Sequence, residues 1–171
     1  MKKKIWLFFL AGFLIQNFGF PEDLRFFHEQ KVSSEINKAF AVLTGSKKLI
    51  IGRVCGRAGK DPDGLSAIRV LAKYKRYDLI SKALNGNNFE GKVYAAWAFL
   101  KLQKRGVKLS EAVKKVIEGL RNSDRRARTC MGCLLTEEKI MDILNLDGPS
   151  SLARASLDDR SDPLGLREGN Q

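Results

Sequence analysis

The chain is poor in the residues that most often carry chemistry. It has one histidine, three cysteines and four prolines in 171 residues. A single histidine excludes zinc sites built on two or three imidazoles. A hydrolytic triad would need His28 beside a nucleophile and a carboxylate, and no G-x-S-x-G elbow is present; between Phe27 and Glu29, His28 reads as structural or solvated. The glycine-rich stretch "GRVCGRAGKDPDG", residues 52–64, fails as a phosphate-binding loop. Val54 stands where the first glycine of G-x-x-x-x-G-K-[ST] belongs, and Asp61 stands in the Ser/Thr position. What remains there is a basic loop. No cofactor and no metal is expected.

Apolar runs long enough to span a bilayer are also missing. The longest, Ile5 to Ile15, is shorter than the roughly 20 residues a spanning helix requires. It follows Lys2, Lys3 and Lys4 directly and is broken by Gln16 and Asn17. A basic start and a short apolar run form the pattern of a secretory signal. Asn17 is a poor residue two places before a cut at Gly19, so residues 1–20 read as either a signal peptide or an uncleaved signal anchor. No lipobox cysteine lies near residue 20. The expected address is outside the cytosol: periplasmic, secreted or envelope-associated. Membrane contact is expected only through an uncleaved anchor.

Acidic charge is scarce in the middle of the chain. The net charge is +12; residues 22–146 carry +11 of it, and the tail from Asp147 carries −2. A basic surface attracts polyanions or acidic proteins. The densest cations are Lys101, Lys104, Arg105 and Lys108, followed by Arg125, Arg126 and Arg128, and these seven are the candidate binding residues. Phosphate contacts of helical repeats to nucleic acid are one use of such charge, but no base-reading motif is visible and an exported chain rarely meets nucleic acid. A protein or anionic surface is the expected partner.

From Pro21 onward apolar residues recur at three and four positions, the helical period. Phe26, Phe27, Val32, Ile36, Phe40 and Leu43 form one stripe; Leu65, Ile68 and Leu71 another; Leu79, Ile80, Ala83 and Leu84 a third. Val93, Ala96, Trp97 and Leu100 follow, then Val113, Val116, Ile117 and Leu120. The run "KKLIIGRVC" is ambiguous between strand and helix and is read as helix beside so many helical neighbours. Three stretches look alike: "DPDGLSAIRVLAKY", "NFEGKVYAAWAFLKL" and "SDRRARTCMGCLL". Each has an acidic turn followed by small residues among large apolar ones. Asp61, Asp63, Glu90 and Asp124 sit in those turns, where capping accounts for them without general acid–base work. Over residues 61–145 this pattern resembles HEAT-like repeats, on Glu90, Val93, Ala95, Ala96 and Ala98 and on Asp124, Arg126, Ala127 and Gly132. The resemblance implies a scaffold that displays a binding surface. The expected fold is all-α: a short right-handed helical-hairpin solenoid or an irregular helical bundle over residues 21–146, with a disordered tail at 147–171.

The pair Cys130-x-x-Cys133 has no following histidine for haem attachment, since Leu134 comes next. On a helix the two would share one face. In an oxidising compartment Cys55 would pair with Cys130 or Cys133, leaving an odd thiol; free buried thiols are the other structural reading. The leading functional expectation is a non-enzymatic α-helical interaction module. The alternative is a thiol-dependent redox protein using Cys130 and Cys133.

Overall fold

The computed structural model describes residues 22–45, 47–56, 58–150 and 152–157, with side chains from Glu29 onward. The signal segment at 1–20, the His28 side chain and the end of the tail lie outside the described residues. The chain divides into two compact units, residues 1–35 and 36–171. The first is described through the opening part of helix α1 (Glu22–Thr44). The second holds the end of α1, then β1 (Ile51–Cys55), α2 (Asp63–Lys73), α3 (Tyr77–Leu84), α4 (Phe89–Lys104), α5 (Glu111–Arg121), β2 (Arg126–Gly132), β3 (Leu134–Lys139) and α6 (Ile140–Ile143).

The fold is mixed α/β, and this corrects the all-α expectation. A three-stranded sheet of order β1-β2-β3 replaces both the solenoid and the helical bundle. Strand β1 pairs with β2 in parallel, which requires the long crossover through α2 to α5. Strands β2 and β3 form an antiparallel hairpin. The stretch read as a third repeat helix, 126–135, is therefore β2 and its turn. Its alternation decides for strand: Ala127 and Thr129 are buried while Arg126 and Arg128 are exposed. The two-residue connection Gly132–Cys133 has φ +62 at Gly132, the place where a type II′ hairpin turn takes glycine. "LIIGRVC" is a strand for a non-local reason. Ile51 is fully buried and faces Thr129, a partner 78 positions away that no local pattern reveals. Glu137 to Lys139 complete β3, and α6 begins at Ile140.

Helix α4 is the centre of the second unit. Val93 through Leu100 are all buried, as expected of a helix that is apolar on every side. Asn88 starts it: its side-chain oxygen accepts from Gly91 N at 2.9 Å, and its amide donates to the carbonyls of Gly45 and Lys47. Two neighbours approach α4 too closely for a side chain. A Cβ at Gly91 would fall on the Leu43 carbonyl of α1, and one at Gly64 of α2 would fall inside the Tyr94 ring. Tyr94 is fully buried. Its hydroxyl donates to Ile50 O at 2.7 Å and accepts from Gly52 N at 3.2 Å, joining α4 to β1. Burial raises the Tyr94 pKa well above its ordinary value, so the hydroxyl keeps the proton it donates.

The beginning of the stretch expected to be a disordered tail is packed. Leu152, Ala153, Ala155 and Leu157 are buried. Three cations hold the segment by its carbonyls: Lys101 Nζ donates to Ala153 O at 2.8 Å, Arg69 Nε to Ser156 O at 2.9 Å, and Arg53 Nη1 to Arg154 O at 3.1 Å. Sparse leucines order this segment because donors from three different elements meet its backbone.

Two measurements check this arrangement. Tyr94→Phe leaves Ile50 O and Gly52 N without their shared partner and should lower the unfolding free energy by about 1–3 kcal/mol in a urea titration. Leu152→Ala should cost about 2–4 kcal/mol by the same measurement if the C-terminal segment belongs to the core; a loss near zero would mean that it does not.

Candidate functional site

The seven candidate cations fall into two groups. Lys101, Lys104 and Arg105 lie at the C-terminal end of α4, and Lys108 follows in the next loop. Cations at a helix C-terminus are favoured by the helix dipole. The Lys101 pKa is lowered, first by burial and then by the charges of Lys104 and Arg105, so these three crowd one another. Asp147 accepts from Lys104 Nζ at 2.6 Å, and its own pKa is lowered by that hydrogen bond and charge. Lys101 is already committed to Ala153 O and lies 5.8 Å from the Trp97 ring centroid.

The second group belongs to the sheet. Arg126 and Arg128 are exposed along one face of β2. Lys139 stands opposite Arg126, and Glu137 opposite Arg128. Arg126 Nη2 also donates to Glu137 O at 2.9 Å. Arg125 lies beside the other end of α4, its guanidinium carbon 3.3 Å from the Phe89 ring centroid. Lys101 is twelve residues along the helix from Phe89, about 18 Å at 1.5 Å per residue. The seven residues therefore do not form one patch. Local sequence density missed Lys139, which joins Arg126 only through strand pairing, and missed Arg53 and Arg69, whose role depends on the C-terminal segment.

The cysteines are resolved by the sheet. Cys55 is bonded to Cys130, with their Cα atoms 5.6 Å apart, and Cys133 is free and exposed. The Cys130/Cys133 pair is thus not a helical face: Cys130 lies in β2 and Cys133 in the hairpin turn. On the far side of β1, Asp61 steadies the chain. One carboxylate oxygen accepts from Val54 N at 3.2 Å and the other pairs with Arg69. Asp61 is therefore more than the simple cap its turn position implied. The polar side of the hairpin is likewise satisfied: the buried Thr129 hydroxyl donates to Glu138 Oε1 at 2.8 Å and meets Thr136 Oγ1 at 2.8 Å.

A cleft of about 470 Å³ lies between the end of α1 and the start of α4, lined by Thr44, Gly45 and residues Asn87 to Glu90. Among the described residues that line it, Glu90 is the titratable side chain. Among the described residues no group of three or more His, Cys, Asp or Glu is placed to hold a metal ion. Among them, too, no helix is long and apolar enough to cross a membrane. Comparison of the chain with protein-family models, with curated proteins and with solved structures gives no match.

The Cys55–Cys130 bond closes a separation of 75 residues. In the chain-entropy picture, closing a loop of that length stabilises by about 4.5 kcal/mol, and disulfides commonly deliver about 2–4 kcal/mol. Cys55→Ala should therefore lower the urea midpoint by an amount equivalent to about 2–4 kcal/mol, and added reductant should leave the variant's midpoint unmoved.

Proposed function

We propose that this chain is an exported, non-enzymatic interaction module that binds a protein or polyanionic partner through its cations. The observation that carries the reading is the cation density at the end of α4. Lys101, Lys104, Arg105 and Lys108 fall within eight residues of sequence, Lys101 feels the repulsion of Lys104 and Arg105, and Asp147 pairs with Lys104. An anionic group placed there would relieve that repulsion. Arg126, Arg128 and Lys139 on the sheet form a second, smaller contact. Export rests on the pattern of residues 1–20, and the Cys55–Cys130 disulfide is compatible with it.

The test separates charge from structure by leaving Lys101 in place. A variant carrying Lys104→Gln, Arg105→Gln and Lys108→Gln should elute from a sulfated-polysaccharide matrix at clearly lower salt than the parent. At about 0.5 kcal/mol for each exposed contact, three lost contacts make roughly a tenfold loss of affinity. The slope of log affinity against log salt should shrink with each contact removed. Elution of the parent at very low salt, unchanged in the variant, would remove the polyanion from the reading.

A further inference from the structure

All three cysteines of the chain converge on one end of the sheet, and the pairing register there contains a break. Gly52 faces Cys130 and Arg53 faces Met131, but Cys55 faces Gly132, because Val54 is bulged out between Arg53 and Cys55. An unbroken register would put Val54 opposite Gly132, where β2 ends, and bring Cys55 level with the turn that holds Cys133. The bulge therefore sets how far Cys55 reaches along β2. With it, Cys55 reaches back to Cys130; without it, Cys55 lies level with the Cys133 turn.

The bulge is held in a conformation that its residue resists. Val54 has φ +53, the left-handed region, which is costly for a β-branched side chain. Three hydrogen bonds keep the chain there: Val54 N to Asp61 Oδ1 at 3.2 Å, Cys55 N to Lys60 O at 2.7 Å, and Gly56 N to Gly132 O at 2.8 Å. Only the last crosses to β2. The first two tie β1 to the loop that follows it, so that loop moves with β1. The free thiol is next to the bond in question. Cys133 is exposed at the apex of a two-residue turn, one residue from the position opposite Cys55. Cys55 is half-buried, whereas Cys130 is 1% exposed.

We propose that this end of the sheet is a thiol–disulfide exchange site at which the bond isomerises between Cys55–Cys130 and Cys55–Cys133. The Cys133 thiolate attacks Cys55 Sγ; the Cys55–Cys133 bond forms as Cys55–Cys130 breaks, and Cys130 leaves as a thiolate that takes up the proton Cys133 released. One disulfide and one thiol stand on each side, so no oxidant or reductant is consumed. Relaxation of Val54 to extended geometry accompanies the change. The two isomers differ in register and in which thiol is presented: an exposed one on the turn, or a buried one beneath the sheet.

The full-length oxidised protein tests this directly. It is held folded at about pH 8.5 without added thiol; samples are then acidified to stop exchange, unfolded and given a maleimide pulse at about pH 5, so that a buried thiol is read as well as an exposed one, and digested. Trypsin leaves Cys130 and Cys133 in one peptide, residues 129–139, and cyanogen bromide then cuts after Met131 between them. Label is expected on Cys133 at the earliest pulse and on both Cys133 and Cys130 after incubation. Val54→Gly, which eases the bulge, should reduce the share on Cys130 severalfold. In Cys130→Ala a Cys55–Cys133 bond should form and free thiol should be absent. Label confined to Cys133 at all times, while the same protein in urea distributes it over the three cysteines, overturns the proposal. Should Cys130→Ala not fold, the labelling of the parent protein decides alone.

Discussion

The Tyr94 hydroxyl is the joint between the helical layer and the sheet. It serves two backbone groups on either side of the entry into β1, and it does so from the middle of a helix with no exposed face between Val93 and Leu100. A buried carbonyl and a buried amide would otherwise be orphaned where the strand begins. Everything that touches this joint must leave it room. Gly64 lies against the Tyr94 ring, and Gly91 against the Leu43 carbonyl, so α2 and α1 meet α4 at backbone distance. Strand β1, joined to α4 in this way, pairs with β2 in parallel.

Much of the positive charge serves the fold. Arg53, Arg69 and Lys101 hold three carbonyls of the 152–157 segment, and Arg69 also answers Asp61. Arg125 covers Phe89. Such contacts fix long cationic side chains against backbone and ring, where their aliphatic stems also cover apolar surface. Arg53, Arg69, Lys101 and Arg125 are thus engaged within the fold itself.

Asp61 links the two themes. Its carboxylate receives Arg69 from α2 and the Val54 amide from the bulge, so one side chain couples the helical layer to the register of the sheet. The position of the disulfide is thereby a property of packing as much as of cysteine spacing. The same bulge that brings Cys55 to Cys130 leaves Cys133 unpaired at the turn.

The helices of the middle region were legible because their signal is local. Leu65, Ile68 and Leu71, or Leu79, Ile80, Ala83 and Leu84, repeat at the spacing of one helical face, and each is buried as that spacing implies. The sheet was not legible as a sheet. Ile51 finds Thr129, and Arg126 finds Lys139, only when the chain has closed on itself, and a short apolar run such as Leu49 to Val54 fits a helix as well as a strand. The small residues around Gly132 suit close-packed helices as well as a hairpin turn, and β3, LLTEEK, carries no alternation to mark it as a strand. Of the candidate site, sequence alone determined the cation count, the odd number of cysteines and the export-like start. The division of those cations into two groups, the choice of Cys130 over Cys133, and the ordering of residues 152–157 were decided by tertiary structure. Each depends on which distant backbone a side chain meets, and that is a matter of closure rather than of neighbouring residues.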